Sequence, residues 1–249
     1  MIILKSNEEI EYLRESNQIV AAILNELKDV VEPGITTLDL DVFAEKKIRE
    51  KGGIPAFKGY RNFPANLCVS INEQIVHGIP GSRNIKEGDI VSLDLGIILN
   101  GFYGDAAITV PVGKISEEAA RLLDVTEKAL YKGIERARIG GRLYDISHAI
   151  QSWVEEQGFS VVRDFVGHGV GRALHEEPQV PNYGQPNRGV QLKKGMVMAL
   201  EPMVNAGTWK VRVEPDGWTA VTQDGSLSAH FEHTIVITDD GPDILTLVS

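Results

Sequence analysis

The chain has 249 residues, 25 Lys and Arg against 35 Asp and Glu, a formal net charge of −10, and one cysteine, Cys68. That length fits one large or two small domains, with enough chain to bury an adequate core. The acidic balance argues against broad nucleic-acid binding, a lone cysteine excludes a disulfide framework or a Cys-rich zinc site, and no apolar run approaches the ~18 residues of a membrane span. The first residues turn acidic quickly and lack a basic-then-apolar leader pattern, so a cytoplasmic protein is expected.

In chain order, Ser6 to Asp29 reads as a helix. Ser6 with Glu9 fits a capping box, and Ile10, Leu13, Ile19, Val20, Ile23 and Leu27 form an apolar stripe. Pro33-Gly34 breaks it, and Thr37 to Lys51 is a second helix closed by Gly52-Gly53. Strands follow at Leu67–Ile71, Ile90–Leu99 and Phe102–Val110. Ser116 to Arg138 and Leu143 to Gln157 are helical, the latter closed by Gly158. From Ser160 onward strands and loops dominate, starting with a strand over Ser160–Val166.

The chain repeats itself. Gly34, Asp39 and Gly52 are spaced by 5 and 13, and so are Gly140, Asp145 and Gly158. Asp94 stands six residues past Gly88, and Glu201 six past Gly195. An offset of 106 residues for the first set and 107 for the second, held over this length, points to a duplicated helix-helix-sheet unit. A pseudo-two-fold axis between the halves would let Asp94 and Glu201 face one cleft.

Asn100-Gly101 between apolar strands predicts a type I′ hairpin turn. The register then pairs Leu99 with Phe102, Gly96 with Asp105 and Asp94 with Ala107. Asp94, Gly96 and Asp105 share one face, with the two carboxylates as diagonal neighbours about 7–8 Å apart at the backbone. Gly96 leaves space between them. If buried, each carboxylate costs several kcal/mol unless a cation sits nearby; on an exposed face it costs little. The hairpin alone fits either case.

The second half adds His168 between two glycines in Gly167-His-Gly-Val-Gly171, and His175 seven residues later. The alternating glycines prevent a regular helix and permit close backbone approach to a ligand. Glu201 and Glu232 each sit in an apolar strand, Met196–Met203 and His230–Ile237. Asp94 matches Glu201 by offset, and Asp105 is the counterpart of Glu232. Four carboxylates with one imidazole suit Mn²⁺, Fe²⁺, Co²⁺ or Zn²⁺, and a charge of −4 is balanced by two dications. His148, His230 and His233 read as structural.

Taken together, these residues resemble the short bacterial type I methionine aminopeptidases over nearly the whole chain. The resemblance rests on Asn72–Pro80 with His77, on Asp94 and Asp105, on Gly167–Pro178, on Glu201-Pro-Met203 and on Glu232-His-Thr-Ile-Val. It implies an α+β pita-bread fold, with two pseudo-two-fold related helix-helix-sheet halves around a central antiparallel sheet. That is a single catalytic domain over 1–249, with halves of roughly 1–112 and 113–249. It implies Asp94, Asp105, His168, Glu201 and Glu232 as ligands of two divalent metals, with Asp105 and Glu232 bridging.

The implied activity is removal of initiator methionine from nascent polypeptides when the second residue is small. A metal-bridging hydroxide attacks the scissile carbonyl. On that resemblance a metal and His175 would stabilise the oxyanion, His77 would contact the peptide nitrogen, and Glu201 is the candidate proton shuttle. The resemblance also implies that Tyr60, Phe63, Cys68, Leu174 and Trp218 line the methionine pocket. Phe57 and Leu174 depart from the pattern of some bacterial members, so the pocket shape is expected to differ. No nucleic-acid or membrane partner is expected, nothing demands more than a monomer, and association with the ribosome stays open. Proline-specific and creatine hydrolases of the same fold, a metal-free binding protein and a noncatalytic α/β protein are the competing readings.

Overall fold

The computed structural model describes residues 1–247. Four helices carry the outer layer: α1 (Asn7–Val30), α2 (Thr37–Glu50), α3 (Glu117–Ile134) and α4 (Leu143–Glu156). The strands of the first half are β1 (Ile54–Pro55), β2 (Leu67–Ile71), β3 (Gln74–Val76), β4 (Ile90–Leu99) and β5 (Phe102–Pro111). Those of the second are β6 (Ser160–Val161), β7 (Gly167–Gly169), β8 (Glu176–Val180), β9 (Val197–Leu200), β10 (Met203–Asn205), β11 (Val211–Val213), β12 (Ala220–Thr222), β13 (Ser228–His230), β14 (His233–Thr238) and β15 (Gly241–Ile244).

The capping box at α1 forms as expected, with the Ser6 side chain on the Glu9 amide and Glu9 reaching back to the Ser6 amide. The buried stripe of α1, including Leu13, Val20, Ile23, Leu24 and Leu27, lies against β4 and β5. Ser116 caps α3, but that helix stops at Ile134, short of the expected Arg138. Gly133 and Ile134 still face the core, whereas Glu135 and Arg136 are exposed. Past Ile134 the backbone tightens into i→i+3 bonds, with the Arg136 amide donating to the Gly133 carbonyl at 3.0 Å and the Ala137 amide to the Ile134 carbonyl at 2.9 Å.

The hairpin β4–β5 has the predicted register: Leu99 with Phe102, Gly96 with Asp105, Asp94 with Ala107. Asn100 and Gly101 both have positive φ, 52° and 79°, as a type I′ turn requires. Around this hairpin β1 and β2 flank β4. On the other side, β14 belongs to a five-stranded antiparallel sheet ordered β15-β14-β9-β7-β8. A bridge between Ala107 and Glu232 joins the two sheets, supported by the Thr234 hydroxyl donating to the Asp105 carbonyl at 2.8 Å.

The two largest apolar cores divide between the halves. One is built from α1, α2, β2, β4 and β5 and runs from Val20 to Val112. The other packs α3 and α4 on the second half's strands, with Ile90 as its only buried residue from the first half. The repeated glycines share backbone conformation: Gly34 and Gly140 have φ of 100° and 87°, Gly88 and Gly195 of 90° and 81°.

Three strand expectations are corrected. The expected strand Ser160–Val166 is only Ser160–Val161, because Arg163-Asp164 interrupts it with charge in a bend. The apolar strand over Met196–Met203, expected to be stopped by Pro202, ends at Leu200, and the chain resumes as β10 beyond the proline, which has no N–H for the ladder. Glu201 therefore stands at the break. Glu232 likewise lies between β13 and β14 rather than within one strand.

Candidate metal centre and substrate pocket

The β4–β5 hairpin places Asp94 and Asp105 at the joint between the two sheets. Asp105 is fixed from three sides. Its amide donates to the Asn17 side chain of α1 at 3.1 Å, its carbonyl accepts from Thr234, and its neighbour Gly104 lets α1 come close. A β-carbon on Gly104 would stand 2.7 Å from the Ser16 carbonyl oxygen.

Opposite, β7 carries His168. The glycines on either side have a packing role. A β-carbon on Gly167 would meet the Ala199 carbonyl oxygen at 2.4 Å, and one on Gly169 the Glu177 carbonyl oxygen at 2.3 Å. They let the neighbouring strands pack tightly around the histidine. His168 Nδ1 faces the Gly169 carbonyl at 2.9 Å, which assigns the hydrogen to Nδ1 and leaves a lone pair on Nε2. That nitrogen lies 3.6 Å from Asp105 Oδ2 and 3.5 Å from Glu201 Oε1. Burial and the nearby His175 hold His168 down to about 4, so it is neutral near pH 7 and these contacts are not ion pairs.

The carboxylates move the other way. Burial, with help from Glu201, pushes Asp94 up to about 7, and burial pushes Glu201 up to about 8. Asp105 and Glu232 are raised well above the usual carboxylate range by burial and by their acidic neighbours. Asp105 Oδ1 and Glu232 Oε1 are buried with no hydrogen-bond partner. Two clusters of carboxylate and imidazole groups converge here, Asp105–His168–Glu232 and Glu201–His230–Glu232, each with polar atoms within 4.8 Å of one another. Co-ligands of a cation at about 2.0–2.2 Å stand up to about 4 Å apart, so the 3.5–3.6 Å separations around His168 suit a divalent ion. The oxygen-rich set, its orphaned oxygens and its negative charge all fit a divalent metal.

The same cavity is lined by Tyr60, Phe63, Cys68, Leu174 and Trp218, and by His77 and His175. All the residues expected at the site thus meet in one place. Phe63 and Trp218 pack edge to face at 5.1 Å, and His77 stands edge-on to Phe165 and Trp218. Burial holds His77 down to about 4. Cys68 is buried and its thiol is pushed up by burial and by Asp94, which makes it a packing residue rather than a nucleophile. The Tyr60 hydroxyl lies 2.8 Å from His175 Nδ1. One expectation changes: the space over Gly96 is taken by Phe57, whose ring a β-carbon there would meet at 2.4 Å. The departure at Phe57 and the glycine between the two aspartates are one packing unit.

The sequence matches the profile of metallopeptidase family M24 over residues 11–239. The chain belongs to that family. A relative from Bacillus subtilis named methionine aminopeptidase 1 is 57% identical over 248 residues, covering 100% of both chains. The crystal structure of methionine aminopeptidase from Thermotoga maritima superposes with a TM-score of 0.97 at 51% identity, covering 99% of each chain. Prolidase from Pyrococcus furiosus shares the fold at a TM-score of 0.80 and 23% identity, over 99% of this chain and 66% of that one. The M24 fold of this chain is accordingly the α+β pita-bread fold.

Several residues around the M24 site escape sequence reasoning. His230 reads as structural, yet it is buried beside Glu201 with both ring nitrogens unpartnered. Lys5 is buried against Glu176, which also accepts the amide of Arg172 at 2.9 Å and so ties down the loop bearing His175. Asn17 looks like an ordinary helix residue. Only His230 left a trace, its position two residues before Glu232. By contrast His233 bonds Thr246 at 2.8 Å and His148 is exposed on α4, as structural residues do.

Proposed function

We propose that this chain is a metal-dependent methionyl aminopeptidase, which hydrolyses the N-terminal methionine of nascent polypeptides when the second residue is small. The carrying observation is a single cavity that joins four carboxylates and His168 to a cup of Tyr60, Phe63, Cys68, Leu174 and Trp218. A polar, charged wall beside an apolar cup suits a free α-amine with a methionine side chain. The near-full-length relatives named methionine aminopeptidase support the same substrate.

Asp94, Asp105, His168, Glu201 and Glu232 are the side chains that would hold two divalent cations. When bound, such cations supply Lewis acidity and bring the pKa of water towards neutral. The oxygen-rich donor set with one imidazole suits Co, Mn, Fe or Zn. Hydrolysis adds the water oxygen to the scissile carbonyl carbon and a proton to the leaving nitrogen. The Glu201 carboxylate takes the proton from water and passes it to that nitrogen. With Tyr60 O–H donating to Nδ1, His175 presents Nε2–H to the carbonyl oxygen as charge develops there. Neutral His77 lies against the peptide nitrogen and keeps the backbone in line. The aromatic cup binds the methionine side chain and excludes water.

We further place the activity in one catalytic domain over 1–249, with halves of about 1–112 and 113–249, although Val248 and Ser249 lie outside the described residues. A monomer in the cytoplasm, acting on chains leaving the ribosome, is the setting this implies. Among the described residues no helix is long and apolar enough to cross a membrane. With Mn²⁺ or Co²⁺ added, the purified protein is expected to release Met from Met-Ala-Ser and to leave Met-Lys-Ser largely uncut. Equal cleavage of both, or none with any divalent ion, refutes the reading.

A further inference from the structure

Glu201 stands between two imidazoles. Its Oε1 lies 3.5 Å from His168 Nε2, and its Oε2 lies 3.6 Å from His230 Nε2. The two rings are not equivalent. His168 commits Nδ1 to the Gly169 carbonyl, so its Nε2 offers Glu201 a lone pair and no hydrogen. His230 is 1% exposed and neither of its ring nitrogens has a partner. A buried donor left unpaired costs about 1–3 kcal/mol, so this ring has a strong demand for an acceptor.

The backbone decides which acceptor it meets. His230 pairs with Met203 across β13 and β10, two residues beyond Glu201. Its amide donates to Thr109 Oγ1 at 2.9 Å, and its carbonyl accepts from the same hydroxyl at 2.7 Å. A further contact between Thr109 and Ser92 at 2.8 Å pins that hydroxyl. The ring therefore leaves a rigid strand and reaches the free side of the Glu201 carboxylate. Closing 3.6 Å to an ordinary N–H···O distance takes a side-chain adjustment of about 0.5–1 Å.

We propose that His230 is a positioning residue for the active site, donating Nε2–H to Glu201 Oε2 so that Oε1 stays turned towards His168 and Asp105. The role rests on the proposed function, because it orients a carboxylate assigned there to the metal and to proton transfer. Glu201 sits at the Pro202 break with no strand neighbour of its own, so a donor on its outer oxygen is what fixes the carboxylate plane. Outer-shell partners of this kind typically govern about 10–100-fold in metal affinity or rate.

The test compares His230→Leu with His230→Gln in the full chain. Mn²⁺ affinity is measured by calorimetry, Met-Ala-Ser kinetics give kcat and KM separately, and the melting temperature in chelator reports folding. His230→Leu is expected to weaken Mn²⁺ binding and lower kcat by about 10–100-fold each, with KM within about 3-fold. His230→Gln, whose amide N–H reaches the same oxygen, is expected to stay within a few-fold of wild type on both. Should the Leu variant not fold, His230→Met replaces it with the same expectation. Wild-type values in the apolar variant, or an equal loss in both variants, overturn the inference. A wild-type protein that binds no Mn²⁺ or releases no Met refutes the functional reading instead.

Discussion

Stripping the divalent cations should make the protein's stability strongly pH-dependent, in a direction opposite to ordinary acid unfolding. Burial raises Asp94 from 3.8 to about 7 and Glu201 from 4.5 to about 8. At about 1.4 kcal/mol per pH unit, ionising each in the folded protein costs about 4–5 kcal/mol. A carboxyl with a raised folded pKa leaves stability intact below its unfolded value near pH 4. That stability is lost as pH climbs through the folded value. Asp105 and Glu232 are raised too and add with the same sign. The buried histidines, held down by burial, act with the opposite sign as pH falls below about 6.5, so the carboxylates' own contribution of about 5 kcal/mol between pH 5 and pH 8 is read from the gap between loaded and chelated protein. For a chain of this size that is roughly 10–20 °C in melting temperature. The assay is a thermal scan at pH 5, 6, 7 and 8, in chelator and with excess Mn²⁺. The gap between loaded and chelated protein should be small at pH 5 and widen to more than about 10 °C at pH 8. A gap that is constant or narrows with pH refutes the claim that these carboxylates are buried together for a cation.

Gly169→Ala drives a β-carbon to 2.3 Å from the Glu177 carbonyl oxygen, and backbone cannot give way cheaply. It should cost about 1–3 kcal/mol and displace His168, which thermal melts and a Mn²⁺ titration will register. An alanine variant with unchanged melting and affinity would show the close strand packing to be immaterial. His77→Ala should retain bound metal and lose rate, since the His77 ring packs edge-on against Phe165 and Trp218 on the pocket side of the cavity. Metal loss in that variant would contradict its role beside the peptide.

Legibility followed locality. The Ser6–Glu9 capping box and the Asn100-Gly101 turn are set within four residues, and both formed with the expected partners. The turn then propagates a period-of-two register, which is why Asp94 and Asp105 could be placed on one face. The repeated glycine spacings were legible because positive φ restricts residue choice, and Gly34 and Gly140 share it. What failed depends on contacts far apart in sequence. Pro202 interrupts the ladder after Glu201, and only the neighbouring strands determine that the chain resumes as β10. Gly96 looked like empty space until Phe57, remote in sequence, filled it. His230 looked structural because its isolation from any partner appears only once Glu201 is folded against it.

The most direct test of the shared-cation site is Asp105→Ala, with bound Mn²⁺ and Met-Ala-Ser turnover measured on the same preparation. Asp105 is buried, carries an orphaned Oδ1 and faces His168. Its removal should cut the bound cations from two to at most one and reduce Met release by more than about 100-fold, exceeding the usual effect of an outer-shell change. Two bound cations with near-normal release would contradict the account.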